Sequence, residues 1–394
     1  MNERTQATCS AGVPGPRQAL LDAEAHLNAR FLERHEEVRG LLLGLVASEN
    51  VLLLGPPGSA KSELSDALCS LLSDGEYFYS LLTRTSTPED LFGPYSISAL
   101  EQDSYRRKTD GYLPSATIAF IDEIFKSNSA TLNGLLPVLN ERVFVNDGRR
   151  EKLPLEMVVA ASNELPAERE ELDALWDRFM LRFQVSYLKG EKGFLELLGR
   201  AANGGGSVSA GPAALCPQDL DAARDGARSV DASSVVPALA SLRRELEEAG
   251  VRASDRRYVK ALALVRANAF LSGRGEATEE DLAPLAHALW QDPSQIRPVR
   301  KAVLARANPY LEKARELLDD AEEVHKEAMA SEDANAANAG NEANKKLKGI
   351  SDRLLSKLAE AQDAGRDAAG IKDTLSKVEE MKKQVLKHCF GMDF

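Results

Sequence analysis

Gly55-Pro56-Pro57-Gly58-Ser59-Ala60-Lys61-Ser62 falls one residue short of a phosphate-binding loop. The pattern is G-x-x-x-x-G-K-[ST], and Ala60 stands where its second glycine belongs. Either this is a phosphate cradle with one extra methyl group, or it is a Gly-Pro turn followed by a stray Lys-Ser. Context favours the cradle. Asn50-Val51-Leu52-Leu53-Leu54 before it is an unbroken apolar run, suited to a strand buried on both faces, and Ser62 to Leu72 after it has a helical pattern. In a strand–loop–helix turn, backbone N–H groups and the positive helix end converge on an anion. Glycine is required only where φ is positive or the backbone touches the ligand. Beside the lysine the chain is expected to have entered the helix already, where alanine is the best residue. Lys61 would then reach the β- and γ-phosphates, and the Ser62 hydroxyl would ligate magnesium.

The chain has 394 residues, enough for two or three domains, and is 43% hydrophobic and 28% charged, a globular composition. Its formal charge of −12 argues against a general nucleic-acid binder, so a DNA-remodelling motor is disfavoured. Cys9, Cys69, Cys216 and Cys389 are scattered without metal or disulfide spacing, which suits a reducing cytoplasm. No run approaches the roughly 20 apolar residues of a membrane span, and the N-terminus lacks a secretory h-region. The histidines form no paired metal motif.

Two more apolar runs end in polar residues: Thr117-Ile118-Ala119-Phe120-Ile121 before Asp122-Glu123, and Met157-Val158-Val159-Ala160-Ala161 before Ser162-Asn163. Buried strands alternating with helical stretches predict an open α/β parallel sheet, with ligands bound at the carboxyl ends of its strands. An acidic pair there suits magnesium and a water-polarising base, Asp122 holding the metal through water and Glu123 acting on the nucleophile. An amide at Asn163 can donate and accept at once, and so can place that water.

Along the chain we expect a loose tail over 1–16, an α/β nucleotide-binding domain over 17–190, a linker over 191–218, an all-α unit over 219–304 and a helical appendage over 305–394. In the last, Ile371, Leu375, Val378, Met381 and Val385 fall on one helix face, suiting a hairpin or coiled coil, or a helix packed on its own domain.

These motifs carry a resemblance. NVLLLGPPGSAKSELSDAL, STPEDLFGPYSI, GYLPSATIAFIDEIFKSNSATLNGLLPVLNERVF, VVAASNELP, ALWDRFMLRF and SDRRYVKAL together resemble the MoxR family of AAA+ ATPases, and within it the RavA branch. The resemblance spans roughly residues 20–300. It implies an AAA+ P-loop core with an all-α lid and a C-terminal helical appendage, binding ATP and Mg2+ between core and lid. The loop Gly55, Pro56, Pro57, Gly58, Ser59, Ala60, Lys61 and Ser62 would be Walker A, Asp122 and Glu123 Walker B, and Asn163 sensor 1. Ser62 and Asp122 would hold the metal. Arg178 in WDRF matches an arginine finger that acts on the neighbouring subunit's nucleotide. Arg256 in SDRR matches the sensor 2 arginine, with Arg257 the alternative. Without the resemblance, either arginine reads as a surface ion pair. The family also carries an insertion, here near 93–115, and a hairpin before sensor 1, here near 140–154, both reaching a central pore. Arg142-Val143-Phe144-Val145 alternates and Asn146-Asp147-Gly148 makes the turn. The C-terminal segment from about 305 departs from the family pattern.

The expected function is hydrolysis of ATP in a hexameric cytoplasmic ring that remodels or activates a partner, one with a von Willebrand factor A domain by the same resemblance. The alternative is an ATP-gated scaffold whose C-terminal helices bind partners. Glu123 argues against it, since a pure switch has little need of a base.

Overall fold

In the computed structural model the described residues are 15–73, 75–165, 169–188, 190–203, 215–330, 336–364, 366 and 368–390. The expected tail over 1–16 lies almost wholly outside them, as do 204–214 of the expected linker. The chain divides into two compact units, residues 1–234 with 254–277 and residues 235–253 with 278–394.

The first unit is built on a parallel sheet. Its strands are β1 (Asn50–Leu54), β2 (Tyr77–Leu81), β3 (Ile118–Asp122), β6 (Met157–Ser162) and β7 (Phe179–Gln184), in the order β2-β3-β6-β1-β7. The runs read as strands in the sequence form its three middle positions, and Val51, Leu52, Leu53, Phe120 and Val159 in them are fully buried. The flanking strands are less legible. At one edge β2 is half exposed, with Tyr79 and Leu81 open to solvent. β7 carries a fully buried cation: the Arg182 guanidinium lies 4.7 Å over the Trp176 ring and donates to the Trp176 carbonyl at 3.0 Å.

The helix His35–Ala47 buries Val38, Leu41, Leu42 and Leu45, and against it pack Pro16–Arg30, Pro217–Ser229 and Asp255–Leu271. Gly40 is required there, since a Cβ would lie 2.1 Å from the Phe183 ring. The last of these helices is fixed at its start by Arg257. That guanidinium is buried and donates to the carbonyls of Phe179 at 2.9 Å and Met180 at 2.7 Å and to Asp177 Oδ1 at 3.2 Å.

The expected hairpin forms from β4 (Val143–Asn146) and β5 (Arg149–Lys152), antiparallel. Asp147 and Gly148 both have positive φ (50° and 72°), the twist that two-residue hairpins favour. The segment after Phe92 is bonded to this hairpin. Ser104 Oγ and the Tyr105 N–H donate to the Asp147 carboxylate at 2.8 and 2.9 Å, and the Arg107 N–H donates to Asn146 Oδ1 at 2.8 Å. The Phe92 and Phe144 rings stack at 5.1 Å. The two projections therefore form one body.

In the second unit the helices Pro309–Met329, Ala336–Asp363 and Ala369–Phe390 bury Leu317, Leu347, Leu354, Ile371, Val378 and Val385 in a shared core. Leu375 and Met381, expected on the same stripe, are partly buried against it. A three-helix arrangement thus stands where the sequence left a hairpin or coiled coil open. Among the described residues no helix is long and apolar enough to cross a membrane.

Candidate functional site

Because β3, β6 and β1 are neighbours and parallel, their carboxyl ends bring the 55–62 loop, Asp122-Glu123 and Asn163 to one edge. The loop leaves β1 with the Gly55 N–H bonded to the Ser162 carbonyl at 3.0 Å. A Cβ at Gly55 would lie 2.0 Å from the Val185 carbonyl oxygen, so no other residue fits. Gly58 has φ +73°, where glycine costs nothing.

Ala60 corrects the expectation drawn from its sequence. It is the N-cap of the helix Lys61–Ser70, with φ 64° and ψ 23°, and has not entered the helix. The motif's second glycine marks a left-handed position, and alanine holds it here at a cost of about 1–2 kcal/mol. Surrounding bonds impose the conformation. Ser59 Oγ donates to the Pro56 carbonyl at 2.8 Å, and the Tyr187 hydroxyl donates to the Pro57 carbonyl at 3.0 Å. Arg34, buried behind the loop, donates to the carbonyls of Ser186 at 2.5 Å and Ser59 at 3.5 Å. Neither Arg34 nor Tyr187 belongs to any motif, and only the folded chain brings them to the loop.

Lys61 is buried, and its ammonium donates to the carbonyls of Gly55 at 2.7 Å and Pro56 at 2.8 Å and to Asn163 Oδ1 at 3.1 Å. Burial lowers its pKa, opposed by the charges of Asp122 and Glu123. Ser62, on the next residue, is exposed. Asp122 accepts the Glu123 N–H at 2.9 Å, and burial raises its pKa above the ordinary carboxylate value.

Glu123 is almost buried and itself left-handed (φ 52°). Its Oε1 accepts from Asn163 Nδ2 and lies 3.1 Å from Lys126 Nζ, while Oε2 meets the Asn163 N–H at 3.4 Å. That long contact leaves lone pairs free for a water. The Asn163 amide thus faces the lysine with its oxygen and the carboxylate with its nitrogen, the only orientation that satisfies both.

The remaining arginines stand elsewhere. Arg178 immediately precedes Phe179, which pairs with Asn50 at the amino end of β1, and its carbonyl accepts from Asn50 Nδ2 at 3.3 Å. The cradle follows Leu54, so a five-residue strand, about 17 Å at about 3.3 Å per residue, separates the two. Arg256 is at the same far end, exposed and bonded to Asn140 Oδ1 at 3.1 Å. Arg257 is the buried anchor of its helix. Burial and the neighbouring Arg256 charge lower the pKa of Arg178, whose Nε is buried without a hydrogen-bond partner. Within one chain the structure brings Lys61, Asp122, Glu123 and Asn163 together and leaves Arg178 and Arg256 at the opposite edge.

Residues 18–206 match a profile for the MoxR domain in the MoxR-vWA-beta-propeller ternary systems, and residues 234–303 match an AAA lid domain. The match singles out MoxR but not its RavA branch. Two uncharacterised proteins of Methanocaldococcus jannaschii are similar, one 38% identical over 75% of this chain and 76% of its own length, the other 39% identical over 74% and 78%. A structural protein of Acidianus two-tailed virus is 34% identical over 40% of this chain and 26% of that protein. A candidate ATPase from Cytophaga hutchinsonii, solved by crystallography, shares the fold at a TM-score of 0.61 and 19% identity, covering 74% of this chain and 95% of that one. With its parallel core, its phosphate loop and the acidic pair beside it, the chain belongs to the MoxR family of AAA+ ATPases.

Proposed function

We propose that the chain binds ATP with magnesium in the 55–62 cradle and hydrolyses it in a head-to-tail ring, hexameric by family resemblance. The cycle remodels or activates a partner protein. A partner with a vWA domain fits the ternary systems for which the matching profile is named. The observation that carries this reading is the meeting of Lys61, Asn163 and Glu123 at one strand edge.

The Ser62 hydroxyl and the Asp122 carboxylate are hard oxygen donors, and a phosphate-bound magnesium takes only one or two protein ligands, so the donor set fits. Bound magnesium would neutralise charge on the β- and γ-phosphoryl oxygens. Lys61 would turn from its loop carbonyls to the phosphates, because a phosphate charge outweighs neutral acceptors. Glu123 would polarise the attacking water and Asn163 would orient it. Arg178, too far from its own cradle, would serve the next subunit's, and Arg256 stands on the same edge to join it. Client contact falls to the joined projections, where Ile97, Tyr105 and Val145 are exposed.

The test is Glu123→Gln. It should keep ATP binding, read as thermal stabilisation, while steady-state phosphate release falls about 10²–10⁴-fold. Near-normal release would move the base elsewhere. Absence of release from wild-type assemblies that still bind ATP would leave ATP as a gating ligand only.

A further inference from the structure

The helix Glu191–Ala202 presents its apolar side to solvent. Phe194, Leu195, Leu197 and Leu198 recur at three- and four-residue spacings and fall on one face. They are 52, 59, 47 and 49% exposed. The opposite, small and polar face meets the protein. The Gly190 N–H donates to Glu33 Oε1 at 3.2 Å, a Cβ on Gly193 would lie 2.8 Å from that oxygen, and Arg200 donates to the Arg30 carbonyl at 3.0 Å. A contiguous outward stripe of large apolar side chains marks an interaction surface.

Its place indicates what covers it. Just before the helix, Tyr187 bonds the Pro57 carbonyl and the Ser186 carbonyl accepts from Arg34, which also reaches Ser59. The segment that leads into the helix is therefore bonded to the phosphate loop, and the helix starts beside Glu33, next to Arg34. On the reading proposed above, on which this inference rests, another copy must bring its Arg178 to that loop. A copy so placed lies against the stripe. Charge agrees. Glu63 and Asp66 on the helix after the cradle and Glu191 at the start of the stripe's helix are exposed and Asp122 is half-exposed, with Lys126 an exposed cation beside Glu123 and Glu196 paired to Arg200 at 2.6 Å. The far edge presents Arg178 and Arg256, whose like charges oppose one another, with Asp177 the acid beside them. One helical turn beyond Arg256, Val259 is 70% exposed and gives that edge an apolar group.

We propose that the outward face of Glu191–Ala202 is the docking surface for a second copy of this chain, which lays its Arg178–Arg256–Val259 edge there in a heterologous, head-to-tail contact.

Sedimentation velocity of the full chain with ATPγS tests this. Wild type should assemble. Leu195→Asp/Leu198→Asp and, separately, Val259→Asp should raise the dissociation constant at least tenfold, with far-UV circular dichroism and affinity for a fluorescent ATP analogue unchanged. A mixture of the two should recover a one-to-one dimer, because each keeps the face the other lacks. Wild-type-like assembly of the double variant, a mixture that stays monomeric, or a wild type monomeric throughout would overturn the proposal. If the double variant merely melts earlier and still assembles, the stripe is covered by its own chain and the proposal fails. Failure of the hydrolysis reading looks different: full turnover by Arg178→Ala in assembled protein rejects the finger, while the sedimentation result still decides the docking surface.

Discussion

Asn163 accepts from the Lys61 ammonium at 3.1 Å through its Oδ1, while its Nδ2 donates to Glu123. One amide therefore links the lysine proposed to meet phosphate to the carboxylate proposed to act on water, and the two partners together fix the orientation of the amide. Asn163→Asp would set a second carboxylate against Glu123 and remove the donor. We expect turnover to fall about 10²-fold or more with ATP binding nearly kept, since the loss falls on orientation of the water and not on the cradle. Phosphate release alongside equilibrium binding checks this, and equal losses in both would place Asn163 in binding instead.

Lys61→Ala should abolish nucleotide binding and leave the fold intact, because the side chain contributes a charge more than it does apolar packing. At ATP a hundred times the wild-type dissociation constant, wild type gains about 2.7 kcal/mol of stability. The variant should gain none in the same melting experiment. An equal gain would remove Lys61 from the site.

Ala60→Gly should stabilise the nucleotide-free protein. Glycine relieves the left-handed strain, about 1–2 kcal/mol, offset by about 0.4–1 kcal/mol of extra unfolded-chain entropy. The net, up to about 1.6 kcal/mol, should raise the melting temperature by up to about 6 °C. A lowered melting temperature would show that the methyl group packs favourably.

Asp122→Asn should also stabilise the nucleotide-free fold at neutral pH. The native pKa is raised, chiefly by burial, so the native state holds the proton more tightly than the unfolded chain. The carboxylate is therefore unfavourable at neutral pH, and that cost fades as pH falls through the raised native pKa toward the ordinary carboxyl value of 3.8. The stability difference between wild type and Asp122→Asn should shrink over that window. A difference constant with pH would assign the effect to packing.

Much of the central sheet was legible because its three middle strands are unbroken apolar runs ending in polar residues. β7 was not, since Arg182 interrupts its run, and its charge is met by the Trp176 ring and carbonyl that the fold supplies. β2 was not, because an edge strand half open to solvent lacks the burial pattern. At the site, residue type and strand position singled out Lys61, Glu123 and Asn163, and the structure brings those side chains into contact. The conformation of Ala60 did not follow, because local propensity favours helix there while bonds from Ser59 and Tyr187 shape the loop. Arg34 and Tyr187 belong to no local pattern. Nor did the sequence separate Arg256 from Arg257 by side-chain direction: in the fold Arg257 holds Phe179 and Met180 while Arg256 faces out.

The central claim is that Arg178 completes a neighbouring site and not its own. Arg178→Ala alone should bind ATP and lose about 10³–10⁵-fold in turnover. Co-expressed with Lys61→Ala under different tags, it should recover activity in purified mixed assemblies, up to about one quarter of wild type if subunits arrange at random in a head-to-tail ring. An intact cradle then meets an intact finger at that fraction of contacts. Recovery from two inactive variants is the predicted result. Verified mixed assemblies that stay inactive, or an Arg178→Ala protein with full turnover, would contradict it.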